Sequence, residues 1–364
     1  MKNNSFRKFL YAIAIFASYL TSCTNKSATD NDNNDKVEQQ EENIVAISFS
    51  SKATVYTIGD TINIALKYDT TKVLTSVELY VDNVKIHVSD SRISSFAINT
   101  DKLMVGAHSF SCKIKKNNEY IDVDNIDFTL LSDITPKEGD YKIKKVIPHE
   151  IRAYTQGLII ENGKLYEGTG MYGESVLKEV NLKTGETIRD IGIAQEYFGE
   201  GITIVGNKIV QLTWRTNIGF VYEKSTFKKI REFSYSTEGW GLTFDGKNLI
   251  MSDGSENLFY MDTVNYSVLR KIQVYDNHTA ITKLNELEYV DGYIYANIYT
   301  TNFIVKIDPQ TGKVVERWDM PDLLTESDKM PETDVLNGIA YNKDTKHFLI
   351  TGKYWPKMFD MILK

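Results

Sequence analysis

Glu200 is set apart by its neighbours. It stands between two glycines in Phe198-Gly-Glu-Gly-Ile-Thr-Ile-Val, and a Gly206-Asn207 turn leads into a second apolar run that ends at Trp214. Two short apolar runs around a Gly-Asn turn are the pattern of a β-hairpin. The end of that hairpin away from the turn carries a carboxyl group and an indole side by side. An acid against an aromatic surface, with glycines that let other backbone crowd in, suits a small-ligand pocket holding one titratable group.

The same grammar recurs from about Lys137 onward. Asn162-Gly163, Gly206-Asn207, Asp245-Gly246, Asp291-Gly292 and Asp344-Thr345 each precede an apolar strand pattern. Their spacing of about 40 to 50 residues is the period of a four-stranded propeller blade. Looser turns recur between the outer strands at Lys183-Thr-Gly185 and Gln310-Thr-Gly312, with weaker copies at 224–226 and 262–264. About 230 residues shared among five repeats gives roughly 46 each, which predicts a five-bladed β-propeller over 135–364.

In a propeller the innermost strands line a central channel, so the residues that open them meet at one mouth. These are Gln156, Glu200, Trp240, Asn285 and Asn337. Glu200 is the only acid at that register. The ends of the following strands add Glu167, Trp214, Asp253, Tyr299 and Lys353. Amides, one acid, several aromatics and a lysine therefore converge, the composition of a specific pocket. Asp253, in Ser-Asp-Gly-Ser, reads as turn chemistry.

The 364 residues leave room for a second domain. Residues 44–134 run through short alternating strands with Asp82-Asn83 as a turn signal, and predict an immunoglobulin-like sandwich without a catalytic constellation. The fold class is thus all-β. Ahead of it, 24–43 is polar and reads as a flexible tether. Residues 1–23 carry Lys2, Arg7 and Lys8, a short apolar run and Leu20-Thr-Ser-Cys23, the layout of an export signal. The last four residues resemble a bacterial lipobox, which implies lipid on Cys23, a membrane anchor, and a periplasmic or cell-surface address. With Cys23 so used, Cys112 has no disulfide partner and is expected as a small buried hydrophobe.

A net charge of -7 argues against a nucleic-acid partner. The five histidines show no metal-ligand spacing, and neither a phosphate-binding Gly-Lys-Ser/Thr loop nor a Gly-x-Ser-x-Gly elbow occurs. Neither metal nor cofactor is expected.

Taken in order, Tyr154-Thr-Gln-Gly-Leu158, Glu167-Gly-Thr-Gly, Phe198-Gly-Glu-Gly-Ile, Gln211-Leu-Thr-Trp214, Glu238-Gly-Trp-Gly-Leu242, Leu284-Asn-Glu-Leu-Glu288, Leu336-Asn-Gly-Ile and Thr351-Gly-Lys-Tyr-Trp355 resemble the glutaminyl-peptide cyclotransferases of plants and bacteria. The likeness covers about 140–364. It implies a five-bladed propeller that converts N-terminal glutamine of peptides or proteins to pyroglutamate and releases ammonia. The family's acid falls on Glu200, and its pocket residues fall on Gln156, Phe198, Trp214, Trp240, Asn285 and Lys353. Tyr154 stands where phenylalanine is usual and Tyr299 where tryptophan is expected. Both stay aromatic, so the departures bear on substrate range. A monomer is expected.

The implied reaction needs a proton taken from the α-amine and one given to the leaving nitrogen, and Glu200 is the candidate for both. Lys353, Asn285 and Gln156 are all candidates for the oxyanion. The connection 318–335, with two Met-Pro pairs, reads either as a lid or as an ordinary surface loop. Two other functions compete: a non-catalytic surface propeller that binds peptides or glycans, which needs no such acid, and a metal-dependent propeller hydrolase or lactonase.

Overall fold

Turn chemistry sets the first layer of the architecture. At Asn162-Gly163 and Asp291-Gly292 both central residues have positive φ, the condition for a tight two-residue hairpin between twisted strands. The first joins Thr155–Glu161 to Lys164–Thr169 and the second joins Leu284–Val290 to Tyr293–Ile298. Similar hairpins join Gly199–Val205 to Lys208–Thr213, Leu242–Phe244 to Leu249–Ser252, and Leu336–Asn342 to His347–Gly352. The looser copies of the outer turn also hold. Phe227 and Tyr266 take the positive φ that Gly185 and Gly312 take in their repeats. Their side chains are buried in the cores beside them.

The structure is a computed structural model that describes residues 44–116, 119–123 and 125–364. The expected export signal with Cys23 and the tether 24–43 lie outside the described residues. The protein is all-β; among the described residues one short 3-10 turn, Glu326–Asp328, is the only helix.

From residue 137 onward the strands form five successive sheets, antiparallel apart from one short parallel pairing. Three of them are four consecutive strands each, from Thr155, Gly199 and Leu242 onward. The fourth adds the short strand Lys137–Glu138, paired parallel to Val314–Asp319. The fifth takes its outermost strand, Tyr141–Pro148, from the beginning of this region, paired antiparallel to Lys357–Leu363. The innermost strand of each sheet packs on that of the next, and the last packs on the first. This is a β-propeller-like ring, tied shut by strands more than 200 residues apart.

Residues 45–131 form two further sheets, one of three strands and one built on the long strand Gly106–Lys116. Ile62, Ile64 and Ile98 of the first share one core with Leu79, Phe110, Cys112 and Phe128 of the second. Cys112 is a free, buried thiol whose pKa burial pushes up to about 12. These sheets meet the ring through Ala107 N–H to Gln273 Oε1 at 2.7 Å, Ser132 N–H to Asp276 O at 3.0 Å and Lys313 to Asp133 at 2.5 Å.

Close approach of backbone at the axis sets one strict requirement. A Cβ on Gly241 would lie 1.9 Å from the carbonyl oxygen of Asn285. The obstacle is backbone, pinned by the Ser252 hydroxyl, which accepts from Gly241 N–H at 2.8 Å and donates to Asn285 O at 2.7 Å. Gly241→Ala is expected to cost about 1–3 kcal/mol, the range for forced overpacking. A urea unfolding midpoint unchanged from wild type would refute this.

Candidate active site

The innermost strands share an irregularity. Pairing shifts between Thr155 and Gly157, between Gly199 and Ile202, between Leu284 and Leu287, and between Leu336 and Ile339. Each shift falls on a residue that the register of repeats places at the mouth: Gln156, Glu200, Asn285 and Asn337. Bulges bend a strand and re-aim its side chains. Here they turn four mouth residues out of the regular alternation. In the third sheet Trp240 takes the matching place, just ahead of Leu242–Phe244.

Nine of the expected residues, Tyr154, Gln156, Phe198, Glu200, Trp214, Trp240, Asn285, Tyr299 and Lys353, line one cavity of about 150 Å³. Glu200 lies in its wall, 4% exposed, and its Oε1 accepts from Gln156 Nε2 at 2.9 Å. Phe198 packs against Trp214 with ring centroids 5.5 Å apart, and Trp240 meets Tyr299 edge to face at 5.4 Å. Tyr154 stands edge-on to Phe198 at 6.0 Å. Lys353 is 3% exposed, and its ammonium lies 4.6 Å from the Tyr154 ring centroid and 4.7 Å from that of Tyr299. The two departures from the usual family pattern thus flank the lysine, holding it by their ring faces. Asn285 Oδ1 is buried without a hydrogen-bond partner. A buried acceptor left open in a pocket wall awaits a donor.

Electrostatics follow from that burial. Removal from water raises the Glu200 carboxyl well above its ordinary value; the nearby Lys353 charge opposes the rise and Glu238 adds to it. Burial lowers the Lys353 ammonium, while Glu200 and Asp334 pull it back up. Burial therefore shifts the carboxyl up and the ammonium down from their free values, the kind of perturbation that acid–base groups at working sites show.

The structure places Asn337 elsewhere. It does not line the cavity. Its Nδ2 donates to Thr155 O at 2.9 Å and to Gln156 Oε1 at 3.2 Å. Its NH2 is spent between the fifth sheet and the first, where it turns the Gln156 NH2 toward Glu200, while its Oδ1 is buried without a partner. Glu167, at the strand end matching Trp214, is also withdrawn: Lys178, His149 and Thr155 surround it in the interior. Asp253 accepts from Ser255 N–H in its own turn.

Two carboxylates at the pocket escaped the register argument. Glu238 receives Trp214 Nε1–H at 2.7 Å and Trp240 Nε1–H at 3.0 Å. Asp334 receives the Tyr154 hydroxyl at 3.2 Å. Glu238 stands two residues before Trp240 in a motif visible in the sequence, but its role depends on indoles from two sheets. Asp334 lies near the end of the connection expected over 318–335, which the strand Val314–Asp319 shortens to 320–335 and which is docked rather than loose. Met320, Leu323 and Leu324 are buried, and Asp334 N–H bonds Lys353 O at 3.0 Å. A third acid, Glu286, takes Leu158 N–H and Ile339 N–H at 3.2 and 2.8 Å and so ties the fourth sheet to the first and fifth. Among the described residues no three His, Cys, Asp or Glu side chains converge as a metal site.

Fold and pocket together define a propeller-like protein with one buried acid and one buried lysine facing a cavity walled by aromatic rings. The chain belongs to the glutamine cyclotransferase family, whose model matches residues 124–363. A glutaminyl-peptide cyclotransferase of Arabidopsis thaliana is 35% identical over 237 residues, 64% of this chain and 74% of its own. The crystal structure of Myxococcus xanthus glutaminyl cyclase matches with a TM-score of 0.59 at 31% identity, covering 63% of this chain and 98% of that one.

Proposed function

We propose that this protein cyclises N-terminal glutamine of peptides or proteins to pyroglutamate with release of ammonia, and that Glu200 carries the proton. The observation that carries this reading is the setting of Glu200: a buried carboxyl in a cavity large enough for one small ring and little more. A cavity of about 150 Å³ is the size that admits a benzene molecule. A glutamine folded so that its α-nitrogen approaches its γ-carbon is a five-membered ring in the making.

In the proposed reaction the α-amine attacks the γ-carbonyl carbon. The C–N bond of the lactam forms while the carbonyl π pair moves to oxygen. Glu200 takes the proton that the nitrogen sheds. The oxyanion then re-forms the carbonyl and expels the amide nitrogen, which receives that proton from Glu200 and leaves as ammonia. Because the nucleophile is tethered to its electrophile, much of the proximity advantage is built into the substrate. Proton transfer by a placed carboxyl contributes about 10²–10⁴-fold.

The candidates for the oxyanion separate by their partners. Gln156 already donates to Glu200, which makes it a support for the acid. Asn285 offers an open acceptor, suited to an N–H of the substrate. Among the described residues Lys353 is the one cation in the cavity wall, so we assign the developing negative charge to it. The rings fold the side chain and keep out the water that would yield glutamate instead. No step in this scheme calls on a metal. Ammonia release from a Gln-initiated peptide that persists with a chelator supports this; loss of activity restored by a divalent ion would contradict it.

The finer architecture belongs to the same proposal. Each of the five sheets is a propeller blade, and 44–134 is an immunoglobulin-like sandwich that carries the 135–364 domain on a tether. Export and lipid attachment at Cys23 fit the sequence of the first 23 residues, and the working unit is a monomer. Labelled palmitate should enter the wild-type chain and not Cys23→Ala; an unlabelled wild type in a bacterial host would overturn the anchor.

A further inference from the structure

The cavity has two indoles, and they come from different parts of the ring. Trp214 follows the second strand of the second sheet, Lys208–Thr213. Trp240 opens the third sheet. What joins them is the loop between those sheets. Gly239 N–H bonds Trp214 O at 3.0 Å, and a Cβ at Gly239 would lie 2.8 Å from Thr213 O, so the loop lies flat on the end of the preceding sheet. Glu238 is thereby placed between the two rings.

We propose that Glu238 is a positioning residue for the cyclisation proposed above: one carboxylate sets both indoles of the pocket and, through Arg215, clamps the Trp214 ring. A single oxygen, Oε2, accepts both indole N–H groups. The other, Oε1, accepts Arg215 Nε–H at 2.9 Å. The same guanidinium lies 3.8 Å from the Trp214 ring centroid, which closes the bracket from the outer side. An indole has one polar atom, so its N–H partner fixes the rotation of the ring about its long axis. With both partners on one oxygen, neither ring turns without losing a charge-assisted hydrogen bond.

The bracket is also a source of charge. Burial works against ionisation of Glu238, but the donors Trp240, Arg215 and Trp214 outweigh it and hold the carboxyl below its ordinary value. Glu238 is thus anionic across the working pH range. The groups that act on Glu200 are then Lys353, which favours its ionised form, Glu238, which disfavours it, and Gln156, which donates to it. Glu238 places the rings that fold the substrate and keeps the acid from ionising too early.

The test uses the whole chain with Glu238→Ala and Glu238→Gln, after thermal melting has shown both to be folded. Indole ¹⁵N–H spectra come first, because they need no activity. Two of the four tryptophan side-chain signals should move in Glu238→Ala while the other two stay. Unmoved signals would overturn the bracket even if the protein proved not to be a cyclase. With a Gln-initiated peptide, KM should rise about tenfold or more in Glu238→Ala, with kcat falling less. Glu238→Gln keeps an oxygen for the indoles and should recover most of that loss. The acid limb of kcat/KM should move to lower pH in Glu238→Gln, since a repelling charge beside Glu200 is gone. A KM within twofold of wild type together with an unmoved limb would overturn the positioning role. Wild type that releases no ammonia would instead refute the cyclase reading and leave the spectral result standing.

Discussion

Glu200→Gln is expected to fold as the wild type does, to bind a Gln-initiated peptide, and to cyclise it at least about a hundredfold more slowly, with up to ten-thousandfold within the range for such acid–base groups. The change is close to isosteric. The amide can still meet Gln156, and the aromatic walls are untouched. What disappears is a site that takes a proton and returns it. The expected signature is therefore a fall in kcat with KM little changed, the pattern of an interaction made in the transition state and not before it. Stopped ammonia assays and peptide-binding calorimetry read the two quantities separately. Turnover near wild type would remove Glu200 from the mechanism.

Lys353→Met is the second large effect. Methionine keeps length and apolar bulk between Tyr154 and Tyr299 but removes the only positive charge that the described residues bring to the cavity wall. Loss of an oxyanion partner costs about 10²–10³ in kcat. The pH profile should change with it. Below the acid limb Glu200 is protonated and cannot accept from the amine; above it the base form is available. Burial places this limb above the ordinary carboxyl value, and the Lys353 charge draws it down. Removing that charge moves the limb to higher pH. The alkaline limb of the wild type reports Lys353 among other groups, and burial places it below the free lysine value. The substrate amine, with a reference pKa of about 7.7–8.0, titrates as well, because only its neutral form attacks. A neutral residue at 353 and one at 238 should therefore displace the same acid limb in opposite directions. Displacement in one direction for both would show that the charges act on some other group.

Much of the ring was legible because its signals are local. Asn162-Gly163 and Asp291-Gly292 form tight turns wherever they stand, so the inner hairpins could be read from the sequence. The outermost strand of the last sheet could not. Tyr141–Pro148 pairs with Lys357–Leu363, and nothing near either segment names a partner so distant in sequence. The site divides in the same way. Gln156, Glu200, Trp240 and Asn285 follow from the register of the repeats. Asn337 shares that register yet turns inward, because its amide has Thr155 O and Gln156 to satisfy. Glu238 lies outside the register and gains its role where two sheets converge, a relation that no single repeat contains. Tyr154 and Tyr299 stood out as departures from a family pattern; that they enclose Lys353 from two sides is a fact of three dimensions.

The central claim is that a free α-amine, with Glu200 to relieve it of its proton, closes onto its own side chain. The most direct measurement compares two peptides of one sequence, Gln-initiated and differing only in an N-acetyl group, by mass spectrometry and ammonia release with the full-length wild-type chain. The account predicts that the free peptide loses ammonia and gains no water, while the acetylated peptide is unchanged. Equal deamidation of both to glutamate, or binding of the free peptide without any release of ammonia, would contradict it.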